Sequence, residues 1–88
     1  MSTNKVYAVV LYDQATEELG ELISLWLKRS DIGSYIYAKN IEPDGAYFRM
    51  TIEDKTFNGE VVEFELQFPH SFIKAIFYSA DIKKIGFL

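Results

Sequence analysis

Cysteine is absent from this chain of 88 residues, and histidine and tryptophan occur once each. Without thiols there is no disulfide framework and no thiolate metal site. Such a composition suits a reducing compartment. With His70 as the one histidine, carboxylates are the only numerous metal-ligand type. Proline is scarce, limited to Pro43 and Pro69. Basic residues number nine against thirteen acidic ones, a formal charge of −4. That balance disfavours a broad cationic surface for nucleic acid or anionic membrane, although a local patch can override the average. Long apolar runs are missing as well. The stretch Val6 to Tyr12 is far below transmembrane length and too short for a signal-peptide core with its cleavage site. A cytoplasmic location with no membrane partner is the expectation.

Apolar side chains are not lacking: 49% of residues are hydrophobic and 16% aromatic, enough for a core in one domain spanning 1–88. Lys5 to Tyr12, KVYAVVLY, is β-branched and aromatic with apolar residues on both faces, which predicts a strand buried on both sides. Ala15, Leu19, Leu22, Ile23, Trp26 and Leu27 follow at helical spacing and predict one long helix. Asp13 or Thr16 can cap its start, and Glu17, Glu18 and Glu21 suit the positive end of its dipole. Lys28 and Arg29 fall in the expected last turn, with Gly33 as the stop.

Residues 34–68 read as a three-stranded antiparallel meander. Glu42-Pro43-Asp44-Gly45-Ala46 and Thr56-Phe57-Asn58-Gly59-Glu60 both match three-residue hairpin loops with a glycine bulge. The first loop would pair Asn40 with Phe48, Ala38 with Met50 and Ile36 with Ile52. The second would pair Ile52 with Phe64, Met50 with Leu66 and Phe48 with Phe68. One face would then carry Ile36, Ala38, Phe48, Met50, Ile52, Phe64, Leu66 and Phe68, the apolar set. The other would carry Tyr35, Tyr37, Lys39, Ile41, Tyr47, Arg49, Thr51 and Glu53, followed by Glu63, Glu65 and Gln67. Phe72 to Tyr78 fits strand or helix by composition, and Ser79 to Ile85 reads as a short final helix capped by Gly86.

From Leu22 onward the order is a helix ending in Trp26-Leu27, a strand, a glycine turn and two further strands. Gln67-Phe68-Pro69-His70-Ser71-Phe72-Ile73-Lys74-Ala75-Ile76-Phe77-Tyr78 comes next. Over residues 22–86 this resembles the stringent starvation protein B family, bacterial adaptors that deliver tagged substrates to a protease. The shared positions are Trp26, Pro69, Ile73 and Ile76, all framework residues, so no binding residue carries over. The departures are an additional N-terminal strand and no long acidic tail within these residues. The resemblance implies an Sm-like β-fold in which Phe72 to Tyr78 is a strand. The expected architecture is therefore α+β, with one long helix packed on a bent antiparallel sheet. Its order is βαββββ with a short C-terminal helix.

Catalytic motifs are not evident. His70, Ser71 and Asp13 or Asp81 contain the residue types of a nucleophilic triad, but the sequence provides no oxyanion hole or orienting context. A corner residue whose ring caps a turn is the simpler role for His70. Glu53, Asp54, Glu60, Glu63 and Glu65 crowd the second hairpin without the spacing of a calcium loop. No glycine loop cradles phosphate: the glycines fall at turns and caps, except Gly20 inside the expected helix. Tyr35, Tyr37, Lys39, Tyr47 and Arg49 form the candidate binding face. Aromatics beside cations suit single-stranded nucleic acid, and tyrosine and arginine equally mark protein interfaces. With the net negative charge, the expectation is a non-enzymatic protein-interaction or adaptor module. It would act through a sheet face or edge, on a protein partner or a second copy, without a cofactor or metal. A nucleic-acid-binding domain using the same face is the first alternative, and a carboxylate-based metal-dependent enzyme the second.

Overall fold

Val6–Leu11 (β1) is the axis on which the rest of the chain is arranged. A computed structural model describes residues 6–31 and 33–79. After β1 come a seven-residue helix Asp13–Leu19 (α1) and a 3-10 turn Gly20–Ile23. The strands Lys28–Ser30 (β2), Gly33–Ala38 (β3), Asn40–Glu42 (β4), Phe48–Lys55 (β5) and Val61–Phe68 (β6) follow. A second 3-10 turn, His70–Phe72, leads into Ile73–Ser79 (β7). These strands form two antiparallel sheets rather than the single bent sheet expected: a four-stranded one ordered β2-β3-β1-β7 and a three-stranded one ordered β4-β5-β6.

The expectation for β1 holds. It lies between β3 and β7, and Ala8, Val9, Val10 and Leu11 are all buried. Val9 and Leu11 enter a core shared with Ile36 and Ala38 of β3, Phe48, Met50 and Ile52 of β5, and Phe68 of β6. Ala15 and Ile23 join that core from α1 and the turn after it. Ala8 and Val10 face the other way and are buried with Tyr35. Each buried Val, Leu or Ile contributes about 1.5–3 kcal/mol, which makes this doubly covered strand the apolar centre of the molecule.

The long helix is corrected. It stops at Leu19 because Gly20 adopts φ 50 and ψ −123, a backbone conformation that side chains resist. Tyr12, without a side-chain bond, occupies the capping position, and Asp13 is the first helical residue. The hydroxyl of Thr16 donates back to the carbonyl of Asp13 at 2.8 Å, so it too does not cap. Lys28 and Arg29 lie in β2 rather than in a last helical turn. Gly33, at φ 123, begins β3 after a tight reversal instead of ending a helix. The helical periodicity is carried by two short helical pieces that meet at Gly20 and end at Ile23, with a turn bearing Trp26 onto the core.

The second hairpin has the expected register: Phe48 pairs with Phe68, Met50 with Leu66, Ile52 with Phe64 and Glu53 with Glu63. Gly59 has φ 81, and the Thr56 N–H donates to the Glu60 carbonyl at 2.9 Å. The first hairpin does not. Asn40 pairs with Thr51, Ile41 with Met50 and Glu42 with Arg49, and Gly45 is not left-handed. The expected long strand divides between the sheets: its first part joins β1, and only Asn40–Glu42 joins β5. Lys39 sits at the break, where alternation slips so that both Ala38 and Ile41 pack against the same core. Burying Ile41 outweighs the tight loop offered by Pro43-Asp44-Gly45. Residues 73–79 are a strand, and the expected C-terminal helix with its Gly86 cap lies outside the described residues.

Candidate functional site

The five residues expected on one face are distributed over two sheets and a loop. Tyr35 is buried and Tyr37 partly buried on the face of β3 that turns away from the main core, beside Ala8, Val10 and Ala75. Their rings meet edge to face with centroids 5.3 Å apart. The Lys28 ammonium lies 5.9 Å from the Tyr37 ring centre, from the neighbouring β2. Desolvation, and secondarily the hydrogen bond and charge of Tyr35, push the Tyr37 phenol up to about 12. Lys39 and Arg49 belong instead to the surface of the three-stranded sheet. Lys39 bridges Glu63 at 2.5 Å and Glu53 at 3.4 Å, the two acids facing each other across β5 and β6. Hydrogen bonding to Glu63 leads the effects that raise its pKa. Arg49 pairs with Glu42. Tyr47 is exposed on the loop before β5.

The residues with catalytic potential are also separated. His70 lies 2.7 Å from the Gly45 carbonyl through Nε2, which donates, and its ring meets Phe48 edge-on at 6.4 Å. Asp13 and Ser71 line a shallow cavity of about 480 Å³ together with Tyr12, Gln14, Ala15 and Phe72. His70 points to the loop carbonyl rather than into that lining. Asp81 lies outside the described residues. Among the described residues, no three acids or histidines are gathered as a metal site. No described helix is long and apolar enough to cross a membrane.

A different feature emerges on β6, the strand expected to close the meander and to carry Glu63 and Glu65 of the acidic cluster. Among the described residues, four strands lie at sheet edges: β2, β7, β4 and β6. Two of them, β2 and β4, have three residues each, and the ladder between β7 and β1 is irregular at Val10/Leu11. Short strands and bulges are ordinary ways to blunt an edge. By contrast, β6 runs eight residues in unbroken register with β5 and has no strand on its other side among the described residues.

Pairing from the hydrogen-bonded closing pair Thr56–Glu60 alternates along the ladder. Val62, Phe64, Leu66 and Phe68 therefore exchange backbone bonds with β5. The N–H and C=O groups of Val61, Glu63, Glu65 and Gln67 point out of the sheet along its free edge. Comparison with protein families, curated proteins and solved structures finds no match to the chain.

Beside this edge lies apolar surface. Phe64 is 43% exposed, and the Trp26 ring approaches it with centroids 5.8 Å apart. The Trp26 indole donates to the Asp54 carboxylate at 3.1 Å, anchoring the segment after the 3-10 turn over the inner face of the sheet. Leu22 and Leu25, just before Trp26 in the chain, are 76% and 84% exposed. Helical periodicity counted Leu22 and Trp26 as core; Trp26 packs against it, but Leu22 is exposed. The signal for that difference is Gly20, which ends the helix before the hydrophobic stripe is complete.

Proposed function

We propose that this protein is a non-enzymatic interaction module that binds an extended segment of a protein partner along β6. The carrying observation is an edge without a strand partner among the described residues: eight residues in unbroken register, with outward backbone groups at alternate positions. Adding a strand to such an edge gives affinity through main-chain hydrogen bonds. Selectivity then comes from the side chains on either face. Phe64, beside Trp26, offers an apolar contact next to the edge. The adaptor role implied by the stringent starvation protein B resemblance is one version of this reading. The nucleic-acid reading has less support, because Lys39 and Arg49 are already answered by carboxylates and do not share a face with Tyr35 and Tyr37.

Selection from a displayed library of random dodecapeptides, followed by amide hydrogen exchange, tests the proposal. Bound peptides should slow exchange at Val61, Glu63, Glu65 and Gln67, and Phe64→Ser should weaken binding. Selected binders that protect another surface and leave those amides unchanged refute it. So does a selection that yields no binder.

A further inference from the structure

The side chains of β6 specify more than a free edge. On the sheet's outer face the strand presents Val61, Glu63, Glu65 and Gln67, and on its inner face Val62, Phe64, Leu66 and Phe68. It carries no basic residue. The cations of the same outer face stand further back: Arg49 and Lys55 on β5, and Lys39 before β4. Lys39 is shared between Glu53 and Glu63. Glu65 accepts a hydrogen bond from the Gln67 amide at 2.8 Å and, among the described residues, forms no ion pair. Negative charge is therefore concentrated on the strand nearest to any added chain.

This arrangement discriminates between occupants. A second copy pairing antiparallel through β6 about a twofold axis would preserve the two faces. A pairing centred on Glu63, Phe64 or Glu65 sets glutamate opposite glutamate, which is destabilising. A strand with lysine or arginine at alternate positions meets Glu63 and Glu65 with the opposite sign. Its intervening apolar residues fall on the side of Phe64 and Trp26. Resting on the β6 reading above, we infer that the partner segment is an extended peptide alternating basic and apolar residues.

Three capped, dye-labelled heptapeptides provide the test: Val-Lys-Val-Lys-Val-Lys-Val and its analogues with glutamate or serine in place of lysine. Fluorescence anisotropy at low salt should rank lysine above serine above glutamate, with at least about tenfold between the extremes. High salt should compress that span, as screening demands. Glu65→Lys should narrow or invert the ranking while circular dichroism stays unchanged. Equal binding of the lysine and serine peptides, with protection of the β6 amides, overturns the charge inference and leaves the edge reading standing. Failure of all three peptides to bind or protect β6 overturns the inference. Binders from the random library that still protect β6 would then keep the edge reading alone. Concentration-dependent dimerisation that protects the same amides assigns the edge to a second copy and overturns the basic-peptide inference.

Discussion

Strands β1 and β6 are both rich in apolar residues, yet they have opposite fates. In β1, VYAVVL presents apolar residues on both faces, and the strand is paired on both edges and buried on both sides. In β6, VVEFELQF alternates Glu63 and Glu65 with Phe64 and Leu66, and the strand covers one face while one edge is unpaired among the described residues. Continuous apolarity marks a strand that contributes mainly to stability. Alternation marks a strand with a wet face, and a wet face beside an open edge is where a partner can be met. The molecule thus separates its stabilising strand from its candidate binding strand.

The largest test of that separation compares two phenylalanines of one hairpin, one on β5 and one on β6. Phe48→Ala empties a buried position of the shared core and should cost about 3–5 kcal/mol. Phe64→Ala removes a ring already 43% exposed and should cost about 1 kcal/mol while impairing peptide binding. Urea unfolding of the two variants checks the contrast, and equal losses would break it.

Gly20→Ala tests whether the broken helix is set by backbone conformation. Among the described residues no atom lies within 4 Å of an added Cβ, so crowding does not set the effect. The residue's φ of 50 and ψ of −123 should nevertheless make the substitution destabilising by about 1–3 kcal/mol. An unchanged melting temperature would show that the segment can straighten into the long helix its periodicity suggests.

Tyr37 probes the second face of the four-stranded sheet by pH. Desolvation pushes its phenol up to about 12, above the ordinary tyrosine value of about 10. Protonated Tyr37 is therefore favoured in the folded state. Its stabilising contribution is full below about pH 10 and is lost as pH rises towards 12. Thermal unfolding between pH 8 and 12 should fall more steeply for the parent than for Tyr37→Phe. Parallel curves would remove Tyr37 from the alkaline response.

The smallest effect is expected on the surface of the three-stranded sheet. Lys39→Ala removes both bridges to Glu53 and Glu63, but both are exposed, and the loss should be the smallest of the series. Guanidinium unfolding would not resolve a difference this small because the denaturant is itself a salt, so thermal melts at low ionic strength are the appropriate measurement. A larger loss would show that repulsion between the facing glutamates is a stability term in its own right.

Much of this contrast was legible in the chain. KVYAVVLY announced a doubly buried strand, and Thr56-Phe57-Asn58-Gly59-Glu60 specified both the turn and the register of β5 with β6. The first hairpin was misread because Pro43-Asp44-Gly45 is an equally good local turn signal. The opposing signal is Ile41, which breaks the alternation of Ile36 and Ala38 after the polar pair Lys39-Asn40. The candidate face of Tyr35, Tyr37, Lys39, Tyr47 and Arg49 depended on that alternation, so its members separated when the strand crossed between sheets.

Local chemistry alone determined the strand character of β1, the left-handed Gly59 and the apolar face of β5, because turn geometry and period-two burial act over a few residues. The sequence also held Gly20 and Ile41, whose consequences depended on competition with the rest of the core. Only the tertiary structure decided that β1 would recruit β3 and β7, dividing the expected meander between two sheets. The same choice left β6 at an edge. Strand partners are selected by which burial of distant residues is most favourable, and no local pattern encodes the strand that will be left without one.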